Sequence, residues 1–360
     1  MVAAMVTAAA LILPPVLEAN ASSAMISAGP WRLQGWTSLS SDLANQGVAA
    51  VRDASGHLQV VTRGDESISP DLLRRGWIHV GDPDSYAGYV VDAYQSGPGA
   101  AAKLFVLTTP AGTRREYVHQ LVAGELYNNS FAAVAPGGHW FVSGEWGTMS
   151  RLLVFAMPRY GARGQRAAEQ LPLAAVIKLT RPMRNVQGCA FASPTSLVCS
   201  TNDRGTDLYG VVQQLLTVRL DRPLEGRAVA GMPSLLGRVP QGYGCYGVGE
   251  TEGIDIRGSR LLLAVVQPWP CGNSTLLYAY ARVSTAAKAT PNSRCQTLSV
   301  LTTCGRGVAT CRSLLEDHWR TWLPGPESVL AERFRSLPRS TDRPNRRASS
   351  GPARPCPRRN

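Results

Sequence analysis

Apolar and polar positions alternate along the chain in short runs that recur as a three-strand unit. Each unit opens with a small residue and an apolar strand, turns tightly into a second strand, and ends on a strand that contains a Leu-Leu pair. The clearest units begin at Ser130, Gly188 and Gly253, and looser ones begin at Gly47 and Gly88. Antiparallel units that repeat about every 40 to 65 residues predict an all-β fold, a β-propeller.

Five units are visible, and we predict a propeller of five to seven blades over residues 22–288. The segment from Trp31 to Trp36 is expected to supply an outer strand that closes the ring against the last unit, because closure removes exposed strand edges. A two-sheet sandwich is the alternative. It explains the alternation and the turns but not the recurrence of a whole three-strand unit.

Residues 1–21 have the composition of a secretory signal peptide. An apolar run broken by Pro14 and Pro15 leads to Ala19-Asn20-Ala21, a small-x-small cleavage pattern. The alternative is an N-terminal core helix. No stretch approaches the roughly 18 uninterrupted apolar residues of a membrane span, so we expect a secreted, extracellular protein with no membrane span.

Eight cysteines suit an exported protein. Cys189 and Cys199 flank one predicted hairpin whose short connection sets them opposite each other, within disulfide range. We therefore predict a Cys189–Cys199 disulfide, and a second one between Cys245 and Cys271. The absence of any Cys-x-x-Cys pair argues against a cysteine-based zinc site or a thioredoxin-like redox pair.

The net charge of +12 is concentrated in the tail. Residues 289–360 carry a net +8, are rich in Arg, Pro and Ser, and lose the strand pattern. Such a composition predicts a disordered or weakly helical segment, and a frame-shifted read-through is an equal alternative. Because the remaining chain is only mildly basic and the tail lacks interleaved aromatic residues, specific nucleic-acid binding is not expected.

Polar residues precede the opening small residue in four of the five units, namely Gln46, Asn129, Gln187 and Glu252, whereas Ala87 stands there in the fifth. Inner strands of a propeller line a central channel, so these four side chains are predicted to form a polar ring with a single negative charge. Their oxygens are ligands that Ca²⁺ or another divalent cation would accept. The alternative is that they only hydrate the channel mouth and cap backbone groups.

The unit Glu252-Gly253-Ile-Asp-Ile, followed by Gly258-Ser-Arg-Leu-Leu-Leu, resembles the inner strand of gluconolactonase-like (SMP-30) six-bladed propellers. The resemblance implies that Glu252 is a divalent-metal ligand, with Asn129 a second ligand by register, and that the activity is lactone or ester hydrolysis. The family places this glutamate in its first blade, and no Asp here fills the remaining ligand position. The general plan is also similar to secreted YVTN-type propellers.

Two functions are compatible with these features. The first is a binding scaffold for a small molecule, carbohydrate or protein surface. The second is a metal-assisted hydrolase of lactones, esters or phosphoesters at the central channel, with Glu252 and Asn129 as ligands. No catalytic residue can be assigned, because no nucleophile elbow or zinc-binding helix motif occurs in the sequence. An exposed Trp146 or Trp269 would suit carbohydrate stacking, although packing between blades is the ordinary role.

Three further motifs are weaker. Asp82-Pro83-Asp84 and the loop 202–207 could hold Ca²⁺ but more often form turns. The glycine pattern at 242–247 matches the dinucleotide fingerprint in letters only, because neither a preceding strand nor a following helix is predicted. His57 and His139 occupy equivalent turns and are expected to be structural.

Overall fold

The computed structural model describes residues 27–52, 56–126, 131–158, 169–240, 245 and 247–283, which belong to one compact unit of the chain. The predicted signal peptide (1–21) and the basic tail (289–360) lie outside these residues. No helix in the described part is long and apolar enough to cross a membrane.

The chain begins with a short strand and a long one that belong to the last blade. They are followed by a single helical turn and by the two strands of blade 1. Their bounds are β1 Ser27–Ala28, β2 Trp31–Ser40, α1 Ser41–Ala44, β3 Gly47–Arg52 and β4 Leu58–Arg63.

Blade 2 follows a 3-10 turn (Asp65–Ser67) and a short helix, α2 (Pro70–Arg74). Two short inner strands pair with different ends of one long strand, and two more strands extend the sheet outward. The bounds are β5 Trp77–Val80, β6 Asp84–Tyr86, β7 Tyr89–Ser96, β8 Ala102–Thr108 and β9 Arg114–Gln120.

Blades 3, 4 and 5 are antiparallel sheets built outward from an inner strand. Blade 3 contains β10 Ala133–Val134, β11 Trp140–Ser143, β12 Thr148–Ala156 and β14 Ala175–Arg184, and β13 (Glu169–Gln170) pairs in parallel with β9. Blade 4 contains β15 Val186–Ser193, β16 Ser196–Thr201, β17 Gln214–Leu220 and β18 Val229–Arg238. Blade 5 contains β19 Glu250–Arg257, β20 Arg260–Val266 and β21 Ser274–Arg282.

The inner strands form a closed circle. Strand β3 lies against β6, β6 against β10, β10 against β15, β15 against β19, and β19 against β3. The described residues therefore form a five-bladed propeller, and the propeller prediction is confirmed. The sandwich alternative is wrong because the sheets surround an axis rather than stacking as a pair.

The ring is closed by the N-terminal strand. Strand β2 pairs with β21 along its full length, from Trp31 opposite Arg282 to Ser40 opposite Ser274. The indole of Trp31 is fully buried in the core of blade 5. The expected closing role of the Trp31–Trp36 segment is thus confirmed, because blade 5 gains its fourth strand from the opposite end of the chain.

Blade 1 has two strands among the described residues, and helical turns stand where its outer strands would lie. Ile68 and Leu72, on either side of the start of α2, are buried against Val80, Tyr94 and Leu104 of blade 2. This packing supplies the apolar cover that a third strand would otherwise provide. The same packing explains why the repeat unit of blade 1 has only two strands in the described part of the sequence.

The unit opening predicted at Gly88 is wrong. Gly88 and Ala87 form the turn between β6 and β7, both with positive φ (82° and 50°), so the strand that follows is the second strand of the blade. The inner strand is β6, and it is preceded by Asp82-Pro83. A proline replaces the small residue of the other units, which hides this strand from a search for the repeat.

Both predicted disulfides are present. Cys189 and Cys199 are cross-strand partners in β15 and β16, with Cα atoms 4.0 Å apart, and both are buried in the core between blades 3 and 4. Cys245 is bonded to Cys271, which joins the segment before β19 to the loop after β20. The first disulfide stabilises a core hairpin, and the second ties two loops at one face.

Candidate functional site

The upper face of the propeller, where the inner strands begin, is shaped by β-bulges. In blade 5, Thr251 pairs with Val265 but Ile254 pairs with Leu263, so Glu252 and Gly253 together face one residue of β20. A bulge of this kind redirects a side chain away from the regular alternation of a strand. Glu252 is therefore placed by local backbone geometry at the start of the inner strand.

The same irregularity occurs in two other blades. In blade 4 the register shifts between Val186 and Gly188, which makes Gln187 the extra residue. In blade 2 the amide of Gly81 donates to the carbonyl of Ala93 (2.8 Å), whereas Asp84 already pairs with Val91. Asp82 consequently has the register of Gln187 and Glu252. It replaces Ala87 as the fifth ring position, so the ring contains a second acid.

The Asp82 carboxylate lies on the propeller axis. Its Oδ1 accepts a hydrogen bond from the amide of Val48 (2.9 Å) in blade 1, and its Oδ2 accepts one from Ile254 (3.0 Å) in blade 5. Its carbonyl accepts from Ala132 (2.8 Å) in blade 3. One residue thus satisfies inner-edge amides of three other blades, and it is completely buried.

This central carboxylate explains the small residues that open three units. A Cβ added to Gly47, Gly188 or Gly253 would overlap atoms of Asp82. The glycines are therefore required by close approach to the axis rather than by the turn that precedes each strand. The feature that makes the repeat visible in the sequence is a consequence of this one side chain.

A second layer of acids lies further along the axis. Oδ2 of Asp84 accepts from the amide of Val134 (2.6 Å), and Oδ2 of Asp255 accepts from Ala50 (2.7 Å). The guanidinium of Arg257 binds both carboxylates, Asp255 at 3.2 Å and Asp84 more closely. This layer balances charge and pairs inner-edge amides, which is a structural role.

Burial dominates the electrostatics of the axis. It raises the pKa of Asp82 well above the ordinary value, although the amide hydrogen bonds from Ile254 and Val48 act in the opposite direction. Burial also raises the pKa of Asp255 to about 7, opposed by the charge of Arg257. The axis therefore holds carboxyl groups whose proton affinity is high in the folded protein.

Glu252 differs from these acids. Its side chain is buried, with 4% of the residue exposed, yet no described residue donates a hydrogen bond to its carboxyl group. Its own carbonyl accepts from the Ser200 hydroxyl (2.9 Å), which fixes the backbone. Burial, then the charges of Glu250 and Asp82, raise its pKa well above the ordinary value. Glu252 therefore has a buried carboxyl group of raised pKa that accepts no hydrogen bond from the described residues.

Glu250 lies two residues before Glu252 on β19 and is exposed. Its Oε1 accepts from the side-chain amide of Asn202 (2.8 Å), whose Oδ1 accepts from Gln213 (3.1 Å). Glu250 lies just before the bulge at Glu252, and two residues of extended chain span at most about 7 Å. Glu250 was not among the predicted site residues, although the spacing Glu-x-Glu at a strand start is a visible signal.

The other ring residues are only partly placed. Gln46 and Gln187 are half-buried and directly precede Gly47 and Gly188, so their backbones surround the same carboxylate as that of Glu252. Asn129 lies outside the described residues. The structure thus brings three of the four ring positions to the axis and adds Asp82, for which the sequence predicted a loop position.

The predicted divalent-metal site at Glu252 and Asn129 stays a prediction, because Asn129 lies outside the described residues. In the described part of the chain, no group of three or more His, Cys, Asp or Glu side chains is arranged to hold a metal ion. Both oxygens of Asp82 are used by backbone amides, and Glu250 is bound to Asn202. We therefore derive no step that depends on a metal.

The other acidic motif, the loop 202–207, already contains a cation. The guanidinium of Arg184 lies between Asp203 (3.3 Å) and Asp207, to which it donates two hydrogen bonds (3.0 and 2.6 Å). Among the described atoms, an arginine thus stands where Ca²⁺ was considered. The fingerprint at 242–247 lies mostly outside the described residues.

The tryptophans separate into two groups. Trp140 packs against the core of blades 3 and 4, and Trp146 is half-buried. Trp269, in the loop after β20, is 79% exposed. Packing between blades thus explains the position of Trp140 but not that of Trp269.

No family model and no curated protein matches this chain. Solved structures similar to it include the arabinanase Arb43A of Bacillus subtilis (14% identity, 62% of this chain, 81% of that chain, TM-score 0.34) and the endosialidase of phage phi92 (8%, 64%, 38%, 0.35). A glycoside hydrolase of the GH130 family of mannoside phosphorylases is also similar (11%, 66%, 75%, 0.37). These are distant likenesses, and the propeller assignment rests on the strand order described above.

Proposed function

We propose that the protein is a hydrolase whose site is the upper channel mouth, with Glu252 as general acid and Glu250 as the partner carboxylate. The observation that carries this proposal is the buried carboxyl group of Glu252, which has no partner among the described residues. Every other axial carboxylate described above accepts from backbone amides, whereas no described backbone amide binds the carboxyl group of Glu252.

The two glutamates differ in environment in the way that acid–base hydrolysis requires, with one proton donor and one ionised carboxylate. A buried carboxyl group with a raised pKa can donate a proton to a leaving oxygen, and an exposed carboxylate nearby can activate water or attack the substrate. One residue separates the two glutamates at the start of β19, so they are neighbouring carboxyl groups of the kind that paired-carboxylate hydrolysis uses. Glu252 would donate its proton to the leaving-group oxygen while Glu250, or a water that it deprotonates, attacks the carbon bonded to that oxygen, so that the carbon–oxygen bond breaks and the leaving group departs as an alcohol.

The site of action we propose is outside the cytoplasm. The two disulfides support it, because such bonds persist in oxidising compartments.

The test is hydrolysis of aryl glycosides, aryl esters and lactones by the full chain and by Glu252→Gln. We expect Glu252→Gln to lower kcat by about 10²–10⁴-fold, the usual contribution of a general acid, with an unchanged thermal transition. The alkaline limb of the pH–rate profile should disappear in this variant. Asp71→Asn, on the exposed face of α2, serves as the matched control and should keep full activity.

Full activity of Glu252→Gln would overturn the assignment. Turnover of none of these substrates by the wild-type protein would reject the hydrolase and leave the binding scaffold as the function. Assays with and without a chelator, together with metal analysis of the purified protein, test the metal-assisted form separately.

A further inference from the structure

A single aromatic side chain stands out at the upper face. Trp269, at 79% exposure, is the most exposed large apolar residue in the described part of the chain. Leaving a large apolar side chain in water forfeits about 1.5–3 kcal/mol of burial. An indole presented in this way needs a reason beyond folding.

The loop that carries Trp269 is built to hold it in place. Pro268 and Pro270 flank it and restrict the backbone. The amide of Cys271 donates to the carbonyl of Pro268 (2.8 Å), and the side chain of Cys271 is bonded to Cys245. The loop is further fixed by the Ser41 hydroxyl, which donates to the carbonyl of Gly272 (2.9 Å). The indole is therefore a preorganised surface, which lowers the entropic cost of binding.

Trp269 is close to the two glutamates. Val266 is the cross-strand partner of Glu250, and Trp269 follows Val266 by three residues. Three extended residues span at most about 10 Å, so the loop that carries Trp269 emerges at the same face of the propeller as Glu250. A ligand longer than one ring can contact the indole and the glutamates together.

The surroundings define the chemistry of such a ligand. A flat apolar face suits a ring that has an apolar side and a polar rim. Half-buried Gln46 and Gln187 offer amides for hydroxyl groups, and the exposed carboxylate of Glu250 disfavours an anionic ligand. A neutral sugar has both an apolar ring face and a rim of hydroxyls.

We infer that Trp269 is the stacking platform of a subsite for a neutral oligosaccharide. This inference rests on the proposed function, because it names the substrate class of the same site.

The experiment measures binding of the full chain to xylan, mannan, arabinan and glucomannan by affinity electrophoresis and by tryptophan fluorescence. Wild-type protein should bind at least one of them, and Trp269→Ala should weaken that binding at least tenfold, whereas Trp269→Tyr should retain part of it. Trp36→Ala is the matched control, because Trp36 is 45% exposed but lies on the closing strand β2. Thermal unfolding confirms that each variant is folded.

The outcomes separate the two proposals. Binding that Glu252→Gln retains and Trp269→Ala loses supports the subsite, whether or not hydrolysis is detected. Equal binding by Trp269→Ala and wild type, equal losses in Trp269→Ala and Trp36→Ala, or no binding of any of these glycans by wild type overturns it. The effect of Glu252→Gln on hydrolysis tests the hydrolase proposal and does not depend on these binding results.

Discussion

Asp82 and Glu252 occupy the same bulge position in two blades, yet their carboxyl groups have opposite hydrogen-bonding environments. Both carboxylate oxygens of Asp82 accept from backbone amides of blades 1 and 5, whereas the carboxyl group of Glu252 accepts no hydrogen bond from any described residue. Both are buried and both have raised pKa values. Burial and a raised pKa therefore do not distinguish a structural carboxyl group from a functional one. The number of hydrogen bonds that the carboxyl group accepts from the protein does.

The difference lies in which carboxyl groups pair with the inner-edge amides of the ring. The inner edges of the central strands carry backbone amides with no neighbouring strand to accept from them, and a buried amide left unpaired is costly. Asp82, Asp84 and Asp255 lie at the level of these amides and pair with them. The carboxyl group of Glu252, at the start of β19, pairs with none of the described amides. Its position is compatible with a ligand and is not needed for closure of the ring.

The largest expected effect comes from removing the central acid. Asp82→Ala leaves the amides of Val48 and Ile254 buried without acceptors, at about 1–3 kcal/mol each. We expect the free energy of unfolding to fall by about 2–6 kcal/mol, measured by urea denaturation at neutral pH.

The matched control for Asp82→Ala is Asp71→Ala, since Asp71 is an exposed residue with surface ion pairs only and should cost less than about 1 kcal/mol. Similar losses in the two variants would show that the axial carboxylate does not hold the blades together.

A smaller effect is expected from filling the space around this acid. A Cβ at residue 188 would overlap Oδ2 of Asp82, so Gly188→Ala should cost about 1–3 kcal/mol by overpacking. In an Asp82→Ala background the same substitution should cost much less, because the overlapping atoms are gone. The double-mutant cycle measures this coupling directly.

Gly97→Ala is the control for the cycle, because the nearest atom to its added Cβ is the Cδ1 of Ile78 at 3.9 Å. If the costs of Gly188→Ala and Asp82→Ala are simply additive, the glycine is not required by the carboxylate.

Much of the fold can be predicted from the sequence because alternation and small opening residues repeat. Gly47, Gly188 and Gly253 mark inner strands for a physical reason, namely their approach to Asp82. Blade 2 breaks the pattern because Pro83 replaces the glycine, and a proline at a bulge reads as a turn. The carboxylate that explains the other units therefore lies in the unit that the pattern misplaces.

The site is harder to predict than the fold. Glu252 is identified because it precedes a recognisable glycine, but the burial that raises its pKa depends on residues from distant blades. No equivalent of Glu250 recurs in the other units, so it is recognised as a site residue only when its exposure and its hydrogen bond to Asn202 are known. A one-residue bulge changes which side chains meet at the axis, and periodicity alone does not reveal it.

The smallest effect concerns pH and separates Glu252 from the structural acids. A carboxyl group with a raised pKa binds more protons in the folded protein than in the unfolded chain, so it destabilises the fold as pH rises above its ordinary value of 4.5. Wild type should therefore lose stability as pH rises above about 4.5, towards the raised pKa of the folded protein. Glu252→Gln should lose less, because it removes the titration without removing a hydrogen bond. His79, whose pKa is lowered by burial, acts in the opposite direction below pH 6.5 and is common to both proteins. Parallel curves of Tm against pH for the two proteins would mean that Glu252 is already ionised, and the contrast with Asp82 would then be lost.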